Sequence, residues 1–306
     1  MTMDLRDVEY FAVIAEHGHI GRAAETLGLS QPALSLSLRR LEQSAQTKLL
    51  TRTAKGVVLT PTGSALLQHV HVLRLARDDL AREIADVARG RAGNLRIGTG
   101  PAIAEGFLPQ ACSELLSSAP RVTLSITVAA TTDTLLTALH SGDLDLVVNH
   151  IGHAPRHRFV FEPLWQDEFV IYAATNHRLA RRRSVTLAEL AHERWACTSA
   201  SAFTTRQSLK QIFEEHGLAG PQLALVSDSV MLRHRTVAST DLLGIGSRRI
   251  VEANASHLHL KIISVKDATW IRPVAAVYRK DGYLPPAASH FMQMLKAAAE
   301  RIAKEV

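Results

Sequence analysis

From Pro61 to Ala88 the chain carries one unbroken helical pattern, about 28 residues or about 42 Å at ~1.5 Å each. Leu66, Leu73, Leu80 and Val87 recur every seven residues, with Val70, Arg77 and Ile84 at the same interval between them. That is an a/d seam, interrupted once by Arg77. A helix with so long an apolar stripe must bury it, either on its own domain or on a second chain. Thr60-Pro61 opens it as a cap followed by proline at the first helical position, where the missing N–H does no harm. Arg89-Gly90-Arg91-Ala92-Gly93 closes it as a hinge-like linker. This rod divides the chain into a part before it and a part after it.

The part before reads as short helices with tight turns. Leu5 to His17 carries Leu5, Val8, Phe11, Ala12 and Ala15 at helical spacing. After Gly18, the stretch Ile20–Leu27 sets Ala23, Ala24 and Leu27 on one side, small enough for another helix to approach. Gly28-Leu29 turns, and Ser30 caps a third helix with Pro32 in its first turn. From Gln31 to Ala45, Leu34, Leu38, Leu41 and Ala45 form the buried stripe. The opposite face carries Pro32, Leu36, Arg39, Arg40 and Gln43, flanked by Gln31, Ser35 and Ser37. Thr51–Leu59 reads as a hairpin with a basic tip.

Charge sharpens this reading. The chain is net +6, and Ile20–Thr60 alone is +4, from Arg22, Arg39, Arg40, Lys48, Arg52 and Lys55 against Glu25 and Glu42. Such a stripe suits phosphate, although a solvated face is the plainer explanation.

Beyond Gly93 the pattern alternates between strand and helix. Strands are expected at Leu95–Thr99, Val122–Val128 and Asp143–Asn149, with helices at Ala104–Leu116 and Thr132–His140 between them. This is the signature of a parallel sheet with helices on its faces. Further strands are expected at Phe159–Trp165 and Glu168–Ala174. A second alternating set runs from Arg194 to Ile263, then a strand at Ile271–Tyr278 and a C-terminal helix at Pro286–Lys304.

Ala23-Ala24-Glu25-Thr26-Leu27, Ser30-Gln31-Pro32-Ala33-Leu34-Ser35, Leu38 and Leu41-Glu42 together resemble the helix-turn-helix of LysR-type transcriptional regulators. The spacing to Leu49-Leu50, Arg52, Gly56, Leu59-Thr60 and Gly63 fits that family's wing and linker-helix start. Ala45-Gln46 and Leu50 stand where the family usually has a Leu-Gly pair and a Phe, which makes a left-handed cap after the third helix less easy. The resemblance covers the whole chain. It implies a multidomain α+β protein: a winged helix-turn-helix at 1–60, a linker and dimerisation helix at 61–90, and an α/β domain at 91–306. The last resembles a periplasmic binding protein, with one subdomain from 91–162 and 267–306 and the other from 163–266.

The implied function is ligand-responsive regulation of transcription, without enzymatic activity or cofactor. The partners are double-stranded DNA, a small effector, a second copy of the chain as a homodimer or homotetramer, and RNA polymerase. In the major groove, Gln31 can pair with adenine, Ser35 can donate or accept, and Leu36 can meet a thymine methyl. Arg39, Arg40, Arg52 and Lys55 suit phosphates or guanine, with Ser30 and Pro32 placing the helix. Arg40 is also explained by solvation, and Ser37 by a bond to its own helix.

In the α/β part, strand ends and helix N-termini facing the cleft offer free N–H groups to an anion. Thr99-Gly100-Pro101-Ala102, Thr131-Thr132, Asn149-His150 and Ser199-Ala200-Ser201 have that character. They suit a carboxylate or an aromatic acid, unless their hydroxyls only cap helices.

Competing chemistry is thin. His150, His153 and His157 could hold a metal on a helix face, but Gly152 and Pro155 argue for a loop. Cys197 sits in an expected strand as a core thiol, and Cys112 has no assignable partner. No GxSxG elbow or HExxH pair occurs. A solute carrier or enzyme built on the α/β part alone is the rival class, but neither needs a groove-reading helix. With no export signal and no membrane span expected, the protein is expected in the cytoplasm.

Overall fold

The computed structural model describes residues 3–89, 93–150, 157–199, 205–266 and 269–304. By packing, the chain divides into two units, Met1–Ala81 and Arg82–Val306, so the division falls inside the long helix.

The first unit holds α1 (Leu5–His17), α2 (Ile20–Leu27), α3 (Gln31–Ala45), the hairpin β1 (Leu50–Thr53) and β2 (Gly56–Leu59), and the start of α4 (Pro61–Arg89). Its core is the expected stripe: Phe11, Ala23, Leu34, Leu38 and Leu41 are buried together, with Leu49 and Val70. Val70 is therefore not a free seam position but part of this core. α1 and α2 end in left-handed Gly18 and Gly28. α3 ends in left-handed Gln46, at φ 52°, a conformation that costs a non-glycine residue about 1–2 kcal/mol.

Gly56 is glycine of necessity. Its φ is +134°, and a Cβ there would lie 2.2 Å from the Gly18 carbonyl oxygen. That oxygen accepts from the Val57 N–H at 2.8 Å and so pins the hairpin to the turn between α1 and α2.

The second unit comprises β3 (Asn94–Thr99), α5 (Pro101–Gly106), α6 (Leu108–Ser118), β4 (Thr123–Val128), α7 (Thr132–His140), β5 (Leu146–His150) and β6 (Phe159–Ala174). There follow α8 (Leu187–Leu190), β7 (Arg194–Cys197), α9 (Thr205–Glu215), β8 (Gln222–Val226), α10 (Val230–Ala238), β9 (Leu243–Ser247) and α11 (Arg248–Leu258). The unit ends with β10 (Leu260–Ile263), β11 (Trp270–Arg279) and α12 (Pro286–Lys304).

The strands run in the order β4-β3-β5-β11-β6-β9-β7-β8, with β10 also on β6. β3 is parallel to β4 and β5, and β7 is parallel to β8 and β9. Two such parallel lobes are joined by the antiparallel pair β6 and β11, which pair from Phe159–Arg279 to Phe169–Trp270. Separate cores fill the lobes, one around Ile97, Val148 and Phe291, the other around Trp195, Phe213 and Ile245.

Two expectations are corrected. The helix expected at Ala104–Leu116 is two helices, because the chain breaks at Phe107 and restarts with Pro109 in the first turn of α6. The two strands expected within 159–174 are one. β11 pairs along its length, and a bulge at Val274/Ala275 faces Pro163, which lacks an N–H to donate. Among the described residues, no helix is long and apolar enough to cross a membrane.

Candidate functional site

The reading face of α3 is built from a satisfied interior outward. The Ser30 hydroxyl accepts from the Ala33 N–H at 3.3 Å and caps the helix. Beneath the face, the buried Asp7 carboxylate accepts from Ser37 Oγ at 2.5 Å and from Arg40 Nε and Nη2 at 3.0 and 2.6 Å. Burial pushes the Asp7 pKa up, but the hydrogen bonds from Arg40 and Ser37 outweigh it and hold the carboxyl below its ordinary value.

Ser37 is thus a buried anchor rather than a flank of the reading face, bonded to α1 and not to its own helix. Arg40, expected as a contact or a solvated side chain, instead forms a two-toothed ion pair with Asp7. Its guanidinium still lies at the surface.

Buried Glu42 does for the hairpin what Asp7 does for α1. It accepts from the Leu49 N–H at 3.0 Å and from Lys48 Nζ at 2.6 Å, fastening β1 to the end of α3. Its pKa too is raised by burial and lowered further by these donors, for a net depression. Gln31, Pro32 and Arg39 stay exposed on this frame, Leu36 is 54% exposed, and Ser35 is partly so. Arg52 and Lys55 are exposed on the hairpin. Along α4, Leu73, Leu80, Ile84 and Val87 are exposed, whereas Leu66 packs on the first unit's core.

In the second unit a cavity of about 90 Å³ opens between the two lobes. Gly100, Pro101, Ala102, Thr132, Asn149 and His150 line it from one side, as the sequence leads one to expect. Asn149 Nδ2 donates to Thr132 Oγ1 at 3.2 Å.

Three other expected residues have different work. Thr99 is buried, and its hydroxyl donates to the Val148 carbonyl at 2.8 Å, tying β3 to β5. Thr131 caps α7 by accepting from the Thr134 N–H at 3.2 Å. Ser199 donates its hydroxyl to Asp228 Oδ2 at 2.8 Å and its N–H to Oδ1 at 3.0 Å. None of the three lines the cavity. Ala200, Ser201 and His153 lie outside the described residues.

The remaining wall escaped the sequence reading. His150 Nε2 meets Asp167 Oδ2 at 2.7 Å, and Ser247 Oγ donates to Asp167 Oδ1 at 2.7 Å. Burial drives the His150 pKa down against the pull of Asp167, so the ring is neutral. Arg272 lies beside them, its guanidinium 5.5 Å from the Phe169 ring centre.

Across the cavity stand Thr198, Arg233 and His234. Arg233 is 4% exposed and donates Nη1 to the Ser227 carbonyl at 2.5 Å. His234 is 1% exposed, and the Tyr172 ring packs edge-on against it at 4.9 Å. Burial, with Arg233 adjacent, lowers the His234 pKa to about 4. Thr198 Oγ1, Arg233 Nε and His234 Nδ1 are buried with no hydrogen-bond partner among the described residues. An unpaired buried polar group costs roughly 1–3 kcal/mol. No group of three candidate metal ligands exists among the described residues. His157 is exposed, Cys197 is buried, and Cys112 is half-buried with its thiol pKa raised by burial.

A winged helix-turn-helix followed by a two-lobed α/β domain with a cleft of this kind defines a DNA-binding transcriptional regulator with a ligand-binding domain. Residues 5–64 match the bacterial regulatory helix-turn-helix proteins of the lysR family, and residues 88–300 match the LysR substrate binding domain. The chain belongs to the LysR family. It is 28% identical over 295 residues to the HTH-type transcriptional regulator CbbR of Rhodospirillum rubrum, covering 96% of each chain. Its fold is that of full-length OxyR from Pseudomonas aeruginosa, with TM-score 0.65 at 22% identity, covering 97% of this chain and 95% of that one. It is also that of CbnR in complex with its target DNA, with TM-score 0.63 at 19% identity, covering 97% and 100%. These relatives and neighbours are regulators of transcription, and the rival enzyme reading is set aside.

Proposed function

We propose that this regulator reads a roughly two-fold-symmetric DNA site in the cytoplasm, and that a small organic anion in the cleft between its lobes modulates that reading. In this scheme 1–60 reads DNA, 61–90 links and dimerises, and 91–306 senses. The observation that carries it is the reading face of α3. Gln31, Ser35, Leu36 and Arg39 stand outward on a helix whose buried charges are all occupied below, so the face is stiff before it meets a duplex.

Arg52 and Lys55 on the hairpin, and the outer edge of Arg40, supply the phosphate contacts. The exposed Leu73, Leu80, Ile84 and Val87 supply the seam for a second copy, which presents two recognition helices to two half-sites. Further contacts between α/β domains would make a tetramer.

Fluorescence anisotropy with DNA from the protein's own genomic neighbourhood tests the reading. Gln31→Ala with Ser35→Ala lowers specific affinity by about 1–3 kcal/mol per lost base contact. Arg52→Ala weakens all sequences alike and reduces the salt slope by about 1. Binding unchanged in both variants would refute the assignment. Light scattering of Leu73→Asp with Leu80→Asp tests the seam, an unaltered assembly counting against it.

A further inference from the structure

From Arg82 onward α4 belongs to the second unit. Between Arg82 and Ala88 none of its side chains is buried: Ile84 and Val87 are exposed, and only Arg82, Ala85 and Asp86 are half-buried. Apolar packing therefore does little to hold this stretch, and the contacts that hold it are polar. Arg82 Nη1 meets Asp145 Oδ1 at 2.7 Å, where the Asp145 side chain is fully buried. The same carboxylate accepts from Arg96 Nη2 at 2.7 Å on Oδ1, and from the Arg96 backbone N–H and Nε at 2.9 and 3.2 Å on Oδ2. One turn further along α4, Asp86 Oδ2 accepts from the Tyr283 hydroxyl at 2.9 Å. The Arg82 guanidinium lies 5.9 Å from the centre of the Tyr283 ring. Burial and the bond to Asp86 push the Tyr283 pKa up to about 12, so the hydroxyl keeps the proton it donates.

This clasp sits at the far ends of the strands that reach the cleft. Asp145 immediately precedes β5, and about 13 Å further on, at ~3.3 Å per residue, Asn149 lines the cavity. Arg96 stands on β3, which ends beside Gly100 of the same lining. At ~100° per residue, Arg82 and Asp86 fall on the side of α4 away from Leu80, Ile84 and Val87. The clasp and the seam for a second copy thus use different faces of one helix.

We infer that Asp145 is the positioning residue through which the sensing domain steers the linker helix: its carboxylate ties Arg82 of α4 to Arg96 of β3, so the end of α4 travels with the lobe whose strands reach the cleft. Removing Arg82 leaves Arg96 on both Asp145 oxygens, so the lobe keeps its buried pair while the helix end is released. The steering rests on the DNA and cleft readings above; the clasp itself does not.

The test is hydrogen exchange followed by mass spectrometry on the full chain, for the parent, Arg82→Met and Arg82→Lys, alone and with a saturating duplex from the protein's own genomic neighbourhood. Coupling between two sites is reciprocal, so DNA serves as the probe of the sensor. In the free chain, Arg82→Met is expected to speed exchange over 82–88 by at least about fivefold and to leave 62–70 unchanged. Arg82→Lys keeps a cation for Asp145 and is expected to stay within about twofold of the parent. In the parent, the duplex is expected to change exchange over 145–150 by at least about twofold, and Arg82→Met to abolish that response.

Unchanged exchange over 82–88 in Arg82→Met overturns the inference. Arg82→Lys as loose as Arg82→Met overturns it too, because charge on Asp145 is then not what holds the helix. A looser helix whose response to DNA at 145–150 is undiminished overturns the steering, as does a parent that binds the duplex with no response there. A parent that does not bind the duplex refutes the DNA reading instead, and exchange in the free chain then decides the clasp by itself.

Discussion

The two units differ in how completely they satisfy buried polarity, although both hold saturated buried carboxylates, Asp167 in the second among them. In the first, Asp7 and Glu42 are buried carboxylates, and each is saturated by donors from other elements. In the second, Thr198, Arg233 and His234 are buried with capacity left over. A surface that reads a duplex gains from a frame settled beforehand, since ordering it during binding would subtract from affinity. A pocket gains from groups that only the ligand completes. The contrast fits the proposed division between a unit that reads DNA and one that responds to a ligand.

Acidification should break the two units apart, and by the largest margin. His234 is held at about pKa 4 in the fold, against ~6.5 in an unfolded chain. Between these values the unfolded chain takes up a proton that the folded one refuses. The second unit therefore keeps this contribution above pH ~6.5 and loses it as pH falls toward 4, by up to about 3 kcal/mol. Arg233 beside it opposes protonation further, and Tyr172 packs on it without offering charge. The first unit's carboxyls are lowered instead, so their contribution persists until pH falls below the ordinary carboxylate range. All three tryptophans, Trp165, Trp195 and Trp270, lie in the second unit. Tryptophan fluorescence at pH 7, 5.5 and 4.5 follows that unit alone, and a flat melting temperature across this series would contradict the contrast.

Glu42→Ala is next in size. It strips the acceptor from the buried N–H of Leu49 and should destabilise the first unit by about 2 kcal/mol. DNA affinity should fall with it, because the hairpin loses its tie to α3. Urea titration followed by far-UV circular dichroism measures the loss, while the tryptophan signal stays in place.

Thr99→Val sharpens the comparison from the other side. Its hydroxyl serves Val148 rather than the cavity, so the change should cost about 1 kcal/mol of stability and leave anion affinity unaltered. Calorimetry showing lost anion binding in this variant would return Thr99 to the ligand site. Gln46→Gly is the smallest effect and the only gain. Relieving the left-handed strain should stabilise the first unit by about 0.5–1 kcal/mol, seen as a higher thermal midpoint.

Local chemistry was legible in the sequence, and long-range pairing was not. Ser30 and Thr131 announce their caps through the residues that follow them, and both caps are present. The buried stripe of α3 follows from its spacing, whereas the left-handed cap at Gln46 is reached only through the family resemblance. Ser37 sits at a helical angle that reads as a flank, and only Asp7, thirty positions earlier, draws it inward. Val70 fits the seven-residue seam, but the first unit's core reaches it first.

In the cleft, glycines and hydroxyls after strands attract attention because loops there expose backbone. Thr99 shares that setting, yet its side chain falls on the buried face of β3. Arg233 and His234 carry no such signal. Two polar residues within a short helix read as solvent-facing, and the Tyr172 ring that packs on His234 comes from some sixty residues away. The bond from Ser247 to Asp167 spans 80 residues and has no local trace.

The lobes of the second unit are joined by two neighbouring strands, β6 and β11, bonded to each other along their length. A ribbon of two strands resists shearing along its hydrogen bonds but twists readily, more so than a broad sheet. Its bulge at Val274/Ala275 gives it one place of lower torsional stiffness. Such a coupling passes torque, alongside the direct contact in which Arg249 of α11 donates to the Gly106 carbonyl of α5. On the proposed reading, an occupant of the cleft is reported outward chiefly as an angle between the lobes, and occupants that impose the same angle give the same report.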